Sequence, residues 1–146
     1  MPDPKESRAA ARRLEAAIPI LRVRSLAASL DHYVKVLGFA VDWQHQGIFA
    51  SISRDRCTLY LCEGDQGHPG SWIWAGVGDA EALFEEPSAR GAKVRHPPTS
   101  YGWAHEMQIE DPDGNVLRFG SEPRKDLPPG EWLDMHGRRW PPPIAD

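Results

Sequence analysis

The chain has 146 residues, of which 40% are hydrophobic and 26% charged, and its formal net charge is −4. That length suits one domain with a real core, and the composition is that of a soluble globular protein rather than a disordered one. The acidic balance argues against nucleic-acid binding, and no stretch approaches the roughly 20 apolar residues of a membrane span.

The N-terminal MPDPKESRAAARRLEAA is charged and alanine-rich, and it predicts a helical arm over residues 1–17. It lacks the apolar core of a signal peptide, so the expected location is cytoplasmic, with no membrane or nucleic-acid partner. The arm is either a frayed terminus or a segment reaching a second subunit. Ile18–Val23 reads as a short strand with Pro19 near its start. Ser25 caps a predicted helix running to about Leu37, with Leu26, Leu30, Tyr33, Val34 and Leu37 at helical spacing, and Gly38 stops it. Strands follow at Phe39–His45, Ile48–Ser53 and Cys57–Glu63, the last two joined by a turn at Arg54–Arg56. Cys57 and Cys62 fall on opposite faces of one strand and cannot bridge, so they read as two buried thiols of a reducing compartment.

The breaker-rich loop EGDQGHPG at 63–70 divides the chain in two. The pattern then repeats: a strand at Ser71–Val77, a helix from Asp79 to about Arg90 ended by Gly91, and a short strand at Lys93–Arg95. A proline-rich loop leads on to the hairpin YGWAHEMQIEDPDGNVLRFG at 101–120, in which Asp111–Asn115 supplies the turn residues. Met107 and Ile109 are its expected inward residues. Val23 aligns with Val77, Gly38 with Gly91, and Leu59-Tyr60-Leu61 with Leu117-Arg118-Phe119. The order strand–helix–strand–strand–strand occurs twice, which implies two βαβββ modules, about 18–63 and 71–120, related by a pseudo-twofold axis. The tail at 123–146 is proline-rich and predicts a small hairpin turning at His136-Gly137, with Trp132 and Trp140 lying down on the domain or on a partner.

The opening IPILRVRSLAASLDHYVKVLGF, the strand SWIWAGV and the D-P-D-G-N hairpin together resemble the glyoxalase/bleomycin-resistance/dioxygenase superfamily, the vicinal-oxygen-chelate fold, and within it the bleomycin-resistance proteins. The resemblance covers about Ile18 to Glu122. It implies an α+β fold whose two modules form a curved-sheet crevice, and a homodimer with ligand crevices at the subunit interface. It says nothing of whether the modules pair within a chain or are exchanged between chains.

Enzymes of this superfamily hold a divalent metal on the first and last strands of each module. The repeat puts those positions at Ile18, Trp72, Tyr60 and Arg118. An alkyl group and an indole cannot coordinate a divalent ion, a guanidinium repels it, and one phenol does not hold it. The expectation is therefore a protein with no metal or other cofactor. A relocated site using His45 and His105 stands as the alternative; His105 and Glu106 are neighbours in a strand and cannot share an ion directly.

The resemblance further implies a crevice lined with aromatic and acidic groups. Trp43 falls at the aromatic position of the second strand, Trp72 and Trp74 match a W-x-W strand, and Tyr101-Gly102 match an aromatic-glycine pair. Trp72 and Trp74 share a face, where they either stack on a planar ligand or fill the core. Arg118 places positive charge in the crevice, neutral in effect if Glu106 pairs with it and favouring an anionic ligand if not. The expected ligand-binding set is Trp43, Tyr60, Trp72, Trp74, Tyr101, Gly102 and Arg118. The expected function is dimeric, metal-free sequestration of a planar or aromatic compound, a bleomycin-type antibiotic among the candidates. The competing readings are a glyoxalase-like lyase or isomerase using Tyr60, His45, His105, Glu106 and Arg118, and a regulatory module with a closed crevice.

Overall fold

The computed structural model describes residues 3–131 and 134–139. After helix α1 (Pro4–Ala11), capped by Asp3, the chain builds two modules in the same order. The first is β1 (Ile20–Arg22), α2 (Leu26–Lys35), β2 (Ala40–His45), β3 (Phe49–Arg54) and β4 (Cys57–Cys62). The second is β5 (Trp72–Gly76), α3 (Ala80–Ala89), β6 (Lys93–Ser100), β7 (His105–Glu110) and β8 (Val116–Ser121). Each forms a four-stranded sheet, ordered β1-β4-β3-β2 and β5-β8-β7-β6. This is the α+β architecture of paired βαβββ units. No helix among the described residues is long and apolar enough to cross a membrane.

The internal repeat holds at the level of single hydrogen bonds. Val23 N donates to Cys62 O at 2.9 Å, and Val77 N donates to Gly120 O at 2.9 Å. Ile20 lies opposite Tyr60 in the first sheet as Trp74 lies opposite Arg118 in the second. Ser25 and Asp79 cap α2 and α3, accepting from Ala28 N and from Glu81 N and Ala82 N. In this way each cap satisfies some of the amides that the first turn of its helix leaves without intrahelical partners.

One core serves both modules. Leu21, Leu59, Leu61, Ala50 and Ile52 come from the first sheet, and Met107, Ile109, Leu117 and Phe119 from the second. Leu26 and Tyr33 of α2 and the partly buried Leu83 and Phe84 of α3 cover them. Because side chains alternate across a strand, the residues between these project on the helix-free face of each sheet.

Two expectations need correction. The strand predicted at Lys93–Arg95 runs on to Ser100 through Pro97 and Pro98. Proline is tolerated there because β6 is an edge strand, and its pairing with β7 is interrupted by irregularities between Val94 and His96 and between His96 and Thr99. Cys57 is half-buried rather than buried, while Cys62 is buried, and both are free thiols. In the tail, Asp134 N donates to Arg138 O, and Gly137 has φ +79°. Trp132 and Trp140 lie outside the described residues.

Candidate functional site

The helix-free faces carry two groups of aromatic and charged side chains. On the first sheet, Trp43 (β2), Phe49 (β3) and Tyr60 (β4) form a mutual cluster, with ring centroids 5.4 to 5.8 Å apart and Trp43 stacked on Phe49. Pairing of Trp43 and Tyr60 with Ser51 puts all three rings on one face. Beside them Asp42 accepts from Ser51 Oγ at 2.9 Å and Ser53 Oγ at 2.7 Å. No cation pairs with this carboxylate among the described residues. The register shift between Val41 and Trp43 lets Asp42 lean to the same side as Trp43.

On the second sheet, Trp72 and Trp74 of β5 share the helix-free face, while Ile73 and Ala75 pack on the core. Trp74 is held from two sides. Its Nε1 donates to Glu106 Oε1 at 3.1 Å. Its ring lies so close over Gly120 that a Cβ there would meet Trp74 Cζ2 at 2.6 Å. The residue is still 56% exposed.

Glu106, itself 3% exposed, accepts on its other oxygen from Arg118 Nη2 at 2.6 Å. A buried carboxylate is thereby matched by a charge-assisted hydrogen bond, and the positive charge of Arg118 is met. The Tyr101 phenol is held above its usual range by burial first and then by Glu106, against the hydrogen bond with Thr99 and the charge of Arg118. Tyr101 stacks on Trp103 at 4.9 Å. Gly102 sits exposed in the turn that follows, and a Cβ there would touch nothing within 4 Å.

The expected residues therefore fall into Trp43 with Tyr60 on one sheet and Trp72, Trp74, Tyr101 and Arg118 on the other, with Gly102 at a turn. No ring contact joins the two groups among the described residues. Three neighbouring residues carry no signal in the sequence that singles them out. Phe49 gave only an ordinary strand signal. Asp42 depends on a bulge. Arg95, whose guanidinium carbon lies 5.0 Å from the Trp72 ring centroid, sits in the stretch read as a short strand before a loop.

A groove of about 550 Å³ runs beside the free edge of β5. Its walls include Pro19 and Leu59 from the first module and Ile73, Trp74 and Leu83 from the second, with Ala17 before them and the charged Arg54, Asp55 and Arg56 also lining it. This size and mainly apolar lining suit a small organic molecule.

The donor chemistry at the positions aligned with the family's metal sites does not fit a divalent ion: Ile18 and Trp72 offer no donor, and Arg118 is a cation paired with Glu106. Among the described residues no group of three or more His, Cys, Asp or Glu is placed to hold a metal. His45 is exposed on β2, whereas His105 is buried on β7 with Nε2 3.0 Å from Glu81 Oε1, so the two do not meet.

The sequence profile of the Glyoxalase/Bleomycin resistance protein/Dioxygenase superfamily matches residues 13–119. The chain belongs to that superfamily. Solved structures share its fold at low identity. TioX from Micromonospora sp. ML1 is 17% identical, with TM-score 0.64 over 74% of this chain and 99% of its own. The bleomycin-binding protein of bleomycin-producing Streptomyces verticillus, complexed with copper(II)-bleomycin, is 24% identical, with TM-score 0.63 over 75% and 97%. Lactoylglutathione lyase from Agrobacterium tumefaciens is 18% identical, with TM-score 0.61 over 75% and 96%. None of the curated proteins compared with the chain matches it.

Proposed function

We propose that the protein is a metal-free, dimeric binder of a planar or partly aromatic small molecule, of the bleomycin-resistance type, acting by sequestration without chemistry. The observation that carries this reading is the seat of Trp74. Its indole is packed against Gly120 and hydrogen-bonded at its edge to Glu106, the residue stays half-exposed, and it is one of the residues lining the groove. A large ring held in place before the ligand arrives binds with little loss of rotamer freedom.

The electrostatics support a neutral or cationic ligand over an anionic one. Arg118 is compensated by Glu106, while Asp42 stands beside the Trp43–Phe49–Tyr60 cluster with serine hydroxyls as its partners among the described residues. An indole face near a carboxylate favours a cation. A dimer that brings the first-sheet cluster of one protomer near the second-sheet group of its partner gives both groups one ligand.

Quenching of tryptophan fluorescence by bleomycin in chelator-treated protein tests the reading. Saturable quenching is expected, with at least about tenfold weaker affinity in Trp74→Ala, or roughly 1.4 kcal/mol. Equal affinity in wild type and variant would overturn Trp74 as the platform.

A further inference from the structure

The C-terminal segment lies beyond the two modules, yet it is tied to β6, the edge strand of the second sheet. Arg124 N donates to Ser100 Oγ at 3.0 Å, and the same hydroxyl donates to Arg124 O at 3.1 Å. Gly130 N donates to Ser100 O at 2.7 Å. A Cβ at 130 would meet Thr99 Cγ2 at 2.0 Å, so glycine is what lets the segment lie this close. Further on, Asp134 closes a tight turn, its Oδ1 accepting from His136 N and Arg138 N at 2.8 and 2.9 Å.

The last tie is Arg95. Its side chain leaves β6 and crosses β7, where Nε donates to Gln108 Oε1 at 3.1 Å and Nη1 to Glu110 Oε1 at 3.3 Å. It ends over Trp72 on β5, the opposite edge of the sheet. From there Nη2 donates to the Asp134 and Met135 carbonyls of the tail turn. A planar cation thus already lies on one of the two indoles of β5. Gln108, which faces the same side, is buried although polar.

We infer that Arg95 and the Asp134–Arg138 turn form an internal stand-in for the ligand, a strap that a bound compound displaces from Trp72, and that this arrangement selects planar cations. The inference rests on the reading of this face as a small-molecule site. Once Arg95 withdraws, Gln108 and one contact of Glu110 lose their partner, while Lys93 keeps its own bond to Glu110 at 2.8 Å. An amidinium-type ligand stacks on the indole and restores those bonds; its uncharged isostere stacks and leaves them unmade. The closed strap lowers apparent affinity by the fraction of molecules in which it is open. Binding also frees the tail.

The test uses full-length protein, benzamidine as a planar cation and benzamide as its neutral isostere, with binding and amide exchange followed by NMR. In wild type, benzamidine should bind at least about tenfold more tightly than benzamide and should speed exchange at the Gly130 amide, whose bond to Ser100 O ties the tail to β6. In Arg95→Met, which keeps the apolar stem, that amide should exchange fast without any ligand. Benzamidine should then bind about tenfold more tightly than to wild type, as expected when a competing state is removed. The assignment is overturned by a protected tail in Arg95→Met, by benzamide binding as well as benzamidine, or by benzamidine failing to bind a variant whose tail is free. Benzamidine binding as described, without quenching by bleomycin, would leave the strap standing and count against the bleomycin-type reading alone.

Discussion

The Tyr33 hydroxyl donates a 2.9 Å hydrogen bond to the Asp111 carboxylate, joining the helix of the first module to the closing hairpin of the second. Both residues are buried. Asp111 also accepts from Asp113 N, Asn115 N and Asn115 Nδ2, while Asn115 Nδ2 reaches Arg22 O and Asn115 Oδ1 accepts from Ser71 N. The hairpin turn is therefore the clamp that fixes the two sheets relative to each other.

Tyr33→Phe should destabilise the protein by about 1–2 kcal/mol, the cost of one hydrogen bond to a buried carboxylate that keeps its other donors. Burial and then Asp111 push the Tyr33 phenol well above its usual range. The unfolded chain thus ionises first, so this contribution is present below about pH 10 and is lost as pH rises. Chemical denaturation at neutral and alkaline pH should show the difference between wild type and Tyr33→Phe shrinking above that value.

Burial lowers the His32 pKa from 6.5, against the opposing pull of Asp111 and Asp31. A depressed value in the folded state means that the unfolded chain takes up the proton first. Stability held at neutral pH is then lost as pH falls from about 6.5 downward. Thermal melts across that range should drop less steeply in His32→Gln than in wild type.

Gly120→Ala separates stability from binding. The new methyl would displace the Trp74 indole, a half-exposed ring that can swing away, so the main cost is the lost hydrogen bond to the buried Glu106 carboxylate, about 1–2 kcal/mol. The stacking seat goes with it. Melting temperature should fall by a few degrees while the protein stays folded, and bleomycin affinity should fall about as far as in Trp74→Ala; retained affinity would show that the seat does not matter.

Asp42→Asn should weaken binding of a cationic planar ligand about fivefold, or roughly 1 kcal/mol, and should flatten the dependence of affinity on salt. A neutral ligand should bind both forms alike. Titrations at low and high ionic strength give both readouts.

Much of the fold was legible because its signals are local. The period-two pattern put Trp72 and Trp74 on one face, the turn residues located the hairpin, and Val23 and Val77 occupy equivalent positions in the repeat. The clamp at Asp111 was not legible, since Tyr33 and Arg22 lie 78 and 93 residues from their partners in it. Arg95 was hidden for another reason. Prolines argue against a strand, and only an edge position with irregular pairing lets β6 continue through them. The sequence leaves the pairing of Arg118 with Glu106 as one of two alternatives, and only the register of β7 on β8 decides between them.

The measurement that bears most directly on the central claim is a calorimetric titration of chelator-treated, full-length protein with bleomycin. Saturable binding at about one drug per chain, unchanged when a divalent metal is restored to the protein, is the predicted result. No binding, or binding that appears only with the metal present, would contradict a metal-free binder built around Trp74.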